Sequence, residues 1–188
     1  TYSAIAAAVG SLKGSLHGGA NAKVMAMFQD VKAHVKDIHD DDEISAYLNK
    51  ILDCEAGDGS GKIYGIGHAV YTISDPRTVL IKKYAGKMAE IEGRADDFSL
   101  MQSIDRLGCG IIMERKGMTI PICANIDMYS GLIYSMLGIP ADLYTPLFAT
   151  ARIAGWCAHR IEEILTGGRI MRPAYRTAVK KTGYIPMS

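Results

Sequence analysis

No apolar run in this 188-residue sequence approaches the roughly 18 residues that a membrane-spanning helix needs, so no membrane partner is expected. The chain opens Thr1-Tyr2-Ser3-Ala4-Ile5, with neither an initiator Met nor a basic leader, and is expected to begin inside a longer protein. Net charge is equally scarce: 21 Lys and Arg against 20 Asp and Glu leave a formal +1. A protein that neutralises phosphates needs a cationic excess, so no nucleic-acid partner is expected either. Cysteine is sparse. Cys54, Cys109, Cys123 and Cys157 have no CxxC spacing and apolar neighbours, which argues for buried thiols in a reducing compartment, hence the cytoplasm, over a disulfide frame or a zinc site. What remains is a globular composition, 48% apolar and 22% charged, too apolar for disorder.

Strand-like alternation is almost absent, and the dominant period is helical. Val24, Met27, Phe28, Val31 and Val35 recur at three-and-four spacing, as do Ile44, Tyr47, Leu48 and Ile51. Further helices are predicted through Leu80, Tyr84, Met88 and Ile91, from Ser99 to Arg115, from Met128 to Leu137 and from Leu147 to Leu165. Asp75-Pro76 and Thr145-Pro146 read as starts, each a capping side chain before proline, while Gly93, Gly138 and Gly167-Gly168 read as stops. The fold class is all-α.

Three segments resist the helical reading: Gly14 to Gly19, Gly57 through His68, and Thr119 to Asp127. Each delivers one titratable group at a loop-to-helix junction, and their glycines permit close approach of backbone to a ligand. Gly57 to Lys62 is no phosphate loop, since Ala56 stands where the first glycine belongs and Ile63 where Ser or Thr is required. The run Lys36 to Glu43, with His34 and His39 five residues apart, reads as a solvated turn capping the next helix and not as a metal site.

His17 and His68 sit among glycines instead of on an apolar helix face. Imidazole exchanges protons near neutral pH, and with Asp127 the two form a candidate set for removing a proton next to a carbonyl. Arg77, Arg152 and Arg172 are candidate carboxylate clamps, because a guanidinium grips a carboxylate at two points. Arg152 stands out. It lies among Ala151, Ile153, Ala154, Gly155 and Trp156, where a buried guanidinium needs a partner that a substrate could supply.

In order along the chain, Leu16-His17-Gly18-Gly19-Ala20-Asn21, Gly65-Ile66-Gly67-His68-Ala69-Val70, Asp75-Pro76-Arg77, Asn125-Ile126-Asp127-Met128-Tyr129-Ser130-Gly131, Phe148 to Trp156 and Arg172-Pro173 closely resemble the C-terminal part of the citrate synthase family. That resemblance implies a multi-helical homodimer of large and small domains. Residues 1–19 would be a large-domain portion, 20–142 the small domain and 143–188 the return to the large domain, with much of the large domain missing. It implies an acyltransferase that condenses acetyl-CoA with oxaloacetate and hydrolyses citryl-CoA to citrate, the entry step of the tricarboxylic acid cycle.

By the same resemblance Asp127 is the base for the acetyl methyl group, His17 the donor to the thioester oxygen, and His68 the residue polarising the oxaloacetate carbonyl. Arg77 and Arg152 grip substrate carboxylates and Arg172 reaches across the dimer. Gly65, Ile66, Gly67 and Ala69 line the CoA site. No metal is implied and no cofactor, the CoA thioester being a substrate. Ser15, Ala124 and Thr72 depart from the family pattern. Thr72 replaces a residue often basic, and Lys62, Lys82 and Lys83 are the candidates to supply that charge. Two other readings stand: a 2-methylcitrate synthase using propionyl-CoA, since one methylene discriminates by only about 1–3 kcal/mol, and a non-catalytic helical interaction module. This stretch by itself is expected to turn over little.

Overall fold

The computed structural model describes residues 1–13, 19–170, 172 and 183; the first glycine segment up to residue 18, His17 included, lies outside them. Among the described residues the chain is helical: α1 (Tyr2–Leu12), α2 (Ala20–His34), α3 (Asp41–Leu52), α4 (Pro76–Ile91), α5 (Ala95–Arg115), α6 (Asp127–Met136) and α7 (Tyr144–Leu165), with one 3-10 turn (Ala141–Leu143) before α7. Each predicted helix is present. The two predicted non-helical segments that are described, 57–68 and 119–126, are loops. No helix among the described residues is long and apolar enough to cross a membrane.

Caps explain several boundaries. Asp40 accepts from Asp42 N and Glu43 N to start α3, and Asp75 accepts from Arg77 N to start α4 ahead of Pro76. The expected Thr145-Pro146 start is corrected: the 3-10 turn runs straight into α7, which begins at Tyr144 and carries Pro146 inside its first turn. Proline is tolerated there because first-turn N–H groups have no intrahelical acceptor.

One core joins α2 to α6. Val24, Phe28 and Val31 of α2, Ile44 and Leu48 of α3, Leu100 and Ile104 of α5, and Met128 and Leu132 of α6 are fully buried, each contributing on the order of 1.5–3 kcal/mol of transfer free energy. The α4 stripe is corrected. Leu80, Tyr84 and Ile91 are 57%, 55% and 81% exposed, while Thr78, Ala85 and Ala89 face the core. Small side chains let α4 sit close against α5 and α6. The cysteines depart from expectation too: all are free thiols, but only Cys123 is buried and Cys54 is exposed. Helix α1 lies on α7 and buries no residue of its own, and α7 buries only Tyr144, leaving Leu147, Ile153, Ile161, Ile164 and Leu165 exposed.

A buried carboxylate ties the bundle. Asp97 accepts from Lys32 Nζ of α2 (2.5 Å) and Arg94 Nε (2.8 Å), and Arg94 Nη1 donates to Ser135 Oγ of α6 (2.8 Å). Burial alone pushes the Asp97 carboxyl up, but these charged hydrogen bonds outweigh it and hold it below the ordinary value of 3.8. A carboxyl depressed in the folded state adds stability that is present above its unfolded value and is lost as pH falls through the folded value. The melting temperature of this chain is therefore expected to hold down to about pH 5 and fall below about pH 4, less steeply in Asp97→Asn. A main loss of stability above pH 5 would contradict this.

Candidate active site

The His68 loop and the start of α6 are far apart in sequence and are stitched together by one isolated antiparallel bridge between Ile66 and Ala124. Gly67 N donates to Cys123 O and Asn125 N to Gly65 O, both at 2.8 Å. The bridge needs no hydrogen bond from Ala124 N, which donates in neither of its two bonds. Asn125 reinforces the seam, its Nδ2 donating to Gly67 O (2.9 Å) while its Oδ1 accepts from Asp127 N (3.0 Å) and so caps α6.

The two glycines of the bridge do different work. Gly65 has φ +84°, and a Cβ there would lie 3.0 Å from Val24 Cγ2 and 3.1 Å from Met128 Cα, so packing demands it. Gly67, at φ +94°, would meet nothing within 4 Å, which leaves open space beside its backbone. Ile66 is half-buried and Ala69 exposed.

His68 has its tautomer set by the backbone. Its Nδ1 lies 2.9 Å from Val70 N and 3.1 Å from Tyr71 N, both donors, so Nδ1 is the acceptor and the neutral ring carries its proton on Nε2. Arg77 Nη2 stands 3.1 Å from that Nε2. A guanidinium has only donors. With the ring proton on Nε2 this is a contact between two donors, which an oxygen bearing negative charge placed beside both would satisfy.

Asp75, 1% exposed, holds Arg77 in place. Its Oδ1 accepts from Arg77 N and Nε (both 3.0 Å) and its Oδ2 from Nη2 (2.8 Å). The hydrogen bond from Arg77 depresses the Asp75 carboxyl against the opposing effect of burial, and the same bond raises Arg77. Asp75→Ala removes a cap worth about 1 kcal/mol and frees the guanidinium, so a melting temperature lower by several degrees is expected. An unchanged melting temperature would show that Arg77 needs no such clamp.

Asp127 begins α6, half-buried, and its carboxylate accepts no hydrogen bond from any described residue. Burial raises its pKa, opposed first by the charge of Arg152 and then by that of Arg77. An unbonded carboxylate with a raised proton affinity is suited to act as a base. Arg152, on α7, stacks over the Phe148 ring (3.3 Å from Cζ to the centroid) and makes one long hydrogen bond to Phe148 O (3.4 Å). Burial lowers its pKa, offset by Asp127, and it forms no ion pair among the described residues. His68, Arg77, Asp127 and Arg152 therefore share one electrostatic neighbourhood.

His17 lies outside the described residues, and Arg172 is exposed with no contact to the set among them. Of the lysines weighed against Thr72, Lys82 is committed to Asp105 (3.0 Å), which leaves Lys62 and Lys83. Sequence reasoning took Asp75 only as a helix cap and gave Asn125 no role. The signal for the latter was an Asn two residues ahead of the helix-starting acid, the spacing of an Asx turn.

The family model described as "Citrate synthase, C-terminal domain" matches residues 1–174. The chain belongs to the citrate synthase family. It is 38% identical to a citrate synthase of Deinococcus radiodurans over 98% of this chain and 44% of that relative. It is 36% identical to a 2-methylcitrate synthase of Shewanella oneidensis over 92% of this chain and 40% of that relative. A solved citrate synthase from Thermoplasma acidophilum, a ternary complex with carboxymethyl coenzyme A and oxaloacetate, superposes with a TM-score of 0.73 at 30% identity, covering 98% of this chain and 45% of that one. The chain thus spans under half the length of these citrate synthase relatives, and the all-α architecture is theirs.

Proposed function

We propose that the protein carrying this chain is an acyltransferase that condenses acetyl-CoA with oxaloacetate and hydrolyses the resulting citryl-CoA to citrate and CoA, the reaction that opens the tricarboxylic acid cycle. What supports the reading is the pair of donors, His68 Nε2 and Arg77 Nη2, in the electrostatic neighbourhood of an Asp127 carboxylate that accepts no hydrogen bond from the described residues.

In this reading Asp127 takes a proton from the acetyl methyl group while His17, hydrogen-bonded to the thioester oxygen, gives its proton to that oxygen as charge develops there, so an enol forms instead of a free enolate. A thioester α-proton is too weak an acid for a solvated carboxylate, and stabilisation of the developing oxyanion closes much of the gap. The enol carbon then attacks the keto carbon of oxaloacetate. The charge building on the keto oxygen is met by His68 Nε2–H, while Arg77 and Arg152 hold the carboxylates and Arg172 acts from a second subunit. Gly65, Ile66, Gly67 and Ala69 line the CoA site, where the open side of Gly67 leaves room for approach.

The same reading divides the chain into a large-domain portion (1–19), the small domain (20–142) and a return to the large domain (143–188). It places the protein in the cytoplasm as a homodimer and needs no cofactor beyond the thioester substrate. Closure of one domain on the other would exclude water and strengthen these contacts.

A second reading has support in the 36% identity to a 2-methylcitrate synthase: the acyl donor is propionyl-CoA. Thiol release by the full-length polypeptide with oxaloacetate and each thioester tests both. A higher kcat/KM for acetyl-CoA is expected; a preference for propionyl-CoA would give the second reading the site, and no thiol release from either would favour a non-catalytic helical module.

A further inference from the structure

Away from the residues that face the proposed substrates, a partly buried polar knot joins α4, α5 and α6. Tyr129 of α6 is fully buried, and its Oη donates to Asp105 Oδ2 of α5 at 2.7 Å. The same oxygen accepts from Lys82 Nζ of α4 at 3.0 Å, and Cys109 Sγ lies 3.9 Å from the other. The Lys82 ammonium also sits 5.1 Å above the Tyr129 ring. Burial, and after it the Asp105 charge, push the phenol far up, so it stays a donor at any working pH.

Folding alone does not call for this arrangement. The side chains of Lys82 and Asp105 are 36% and 16% exposed, so their ion pair, partly screened by water, adds little to stability, and apolar residues of similar volume commonly serve as well. What the knot adds is direction. Apolar packing is non-directional and tolerates small rotations of a helix about its axis, whereas a short hydrogen bond to a partner fixed on another helix does not.

Tyr129 lies two residues beyond Asp127 in the opening turns of α6, so the rotation that seats the phenol on Asp105 also sets where the Asp127 side chain points. Lys82 ties the same carboxylate to α4, whose first turn holds Arg77. We infer that Tyr129, anchored by Asp105 and Lys82, is a positioning residue that fixes the rotation of α6 and thereby aims the Asp127 carboxylate relative to Arg77. This rests on the reading of Asp127 as the catalytic base.

The test is steady-state kinetics with acetyl-CoA and oxaloacetate on the full-length polypeptide, beside oxaloacetate affinity and melting temperature, for wild type, Tyr129→Phe, Lys82→Met, Lys82→Arg, Asp127→Asn and Ile104→Val. Misplacement of a reacting group by about 1 Å costs on the order of 100-fold in rate, so Tyr129→Phe is expected to lower kcat by about 10- to 100-fold, with oxaloacetate affinity within about twofold of wild type. Lys82→Met should fall in the same direction, and Lys82→Arg, which keeps a charged donor, should recover most of the rate. Ile104→Val, fully buried on α5 beside Asp105, is the matched control: it lowers the melting temperature with kcat unchanged.

A Tyr129→Phe enzyme with kcat within twofold of wild type would overturn the inference, as would a loss no larger than that of Ile104→Val. In either case a wild type that is active and an Asp127→Asn that is not would leave the functional reading standing. A wild type without thiol release would instead overturn that reading, and this inference with it.

Discussion

Asp127→Asn in the full-length polypeptide is expected to lower kcat for thiol release by about 1,000-fold, in the middle of the 100- to 10,000-fold range that a positioned general base contributes. That is roughly 4 kcal/mol of barrier. The amide keeps the shape and the α6 start, since Asn125 Oδ1 bonds the backbone N–H of residue 127 and not its side chain. Oxaloacetate affinity should therefore hold, or tighten as a negative charge leaves the neighbourhood of Arg77 and Arg152. The pH profile adds a second check. Burial raises the Asp127 carboxyl, so the acid limb of the wild-type rate should lie above the ordinary carboxylate value of 3.8 and should vanish in the variant. A variant that keeps kcat within a few-fold of wild type would remove Asp127 from the chemistry.

Gly65→Ala is expected to be the most damaging single-methyl change in the site. The residue is held at φ +84°, where an L side chain is strained by about 1–3 kcal/mol. The added Cβ would also stand 3.1 Å from Met128 Cα, a backbone atom that cannot swing aside, and 3.0 Å from Val24 Cγ2. Overpacking of that kind costs a further 1–3 kcal/mol or so, for a total of about 2–6 kcal/mol in a denaturant titration of this chain. Because Gly65 O receives Asn125 N, relief of the clash moves the seam between the His68 loop and α6, and activity in the full-length polypeptide should fall beyond what lost stability explains. Gly67→Ala, with open space around its Cβ, bears only the backbone strain and should be milder. Equal destabilisation by the two would contradict the packing account.

Most of the helices were legible because their apolar residues recur at helical spacing and their caps carry the expected chemistry, as Asp40 and Asp75 do. The orientation of α4 was not. Its large apolar residues, Leu80, Tyr84 and Ile91, point outward, and its core face is built from Thr78, Ala85 and Ala89. Hydrophobicity ranks size as much as burial, and a closely approached helix needs small residues at the contact. Gly86 tells the same story, since a Cβ there would lie 3.1 Å from Phe98 Cε1.

In the site, the chemical character of His68, Arg77, Asp127 and Arg152 was readable from residue type and loop context. Their convergence was not, because it depends on the lone bridge between Ile66 and Ala124, too short to leave any alternation in the sequence. Arg152 was read as needing a partner if buried; it is half-exposed and rests on Phe148, its guanidinium in no ion pair among the described residues. The clamp of Asp75 on Arg77 was hidden for a related reason. The spacing Asp-Pro-Arg announces a helix start and says nothing of where a long side chain folds back.

The most direct test is a crystal structure of the full-length polypeptide with oxaloacetate and carboxymethyl coenzyme A bound. His68 Nε2 is expected within about 3 Å of the keto oxygen, with Arg77 and Arg152 on the two carboxylates and the Asp127 carboxylate facing the carboxymethyl group. Oxaloacetate bound elsewhere, or Asp127 turned away from the thioester analogue with His68 unengaged, would contradict the assignment of this site.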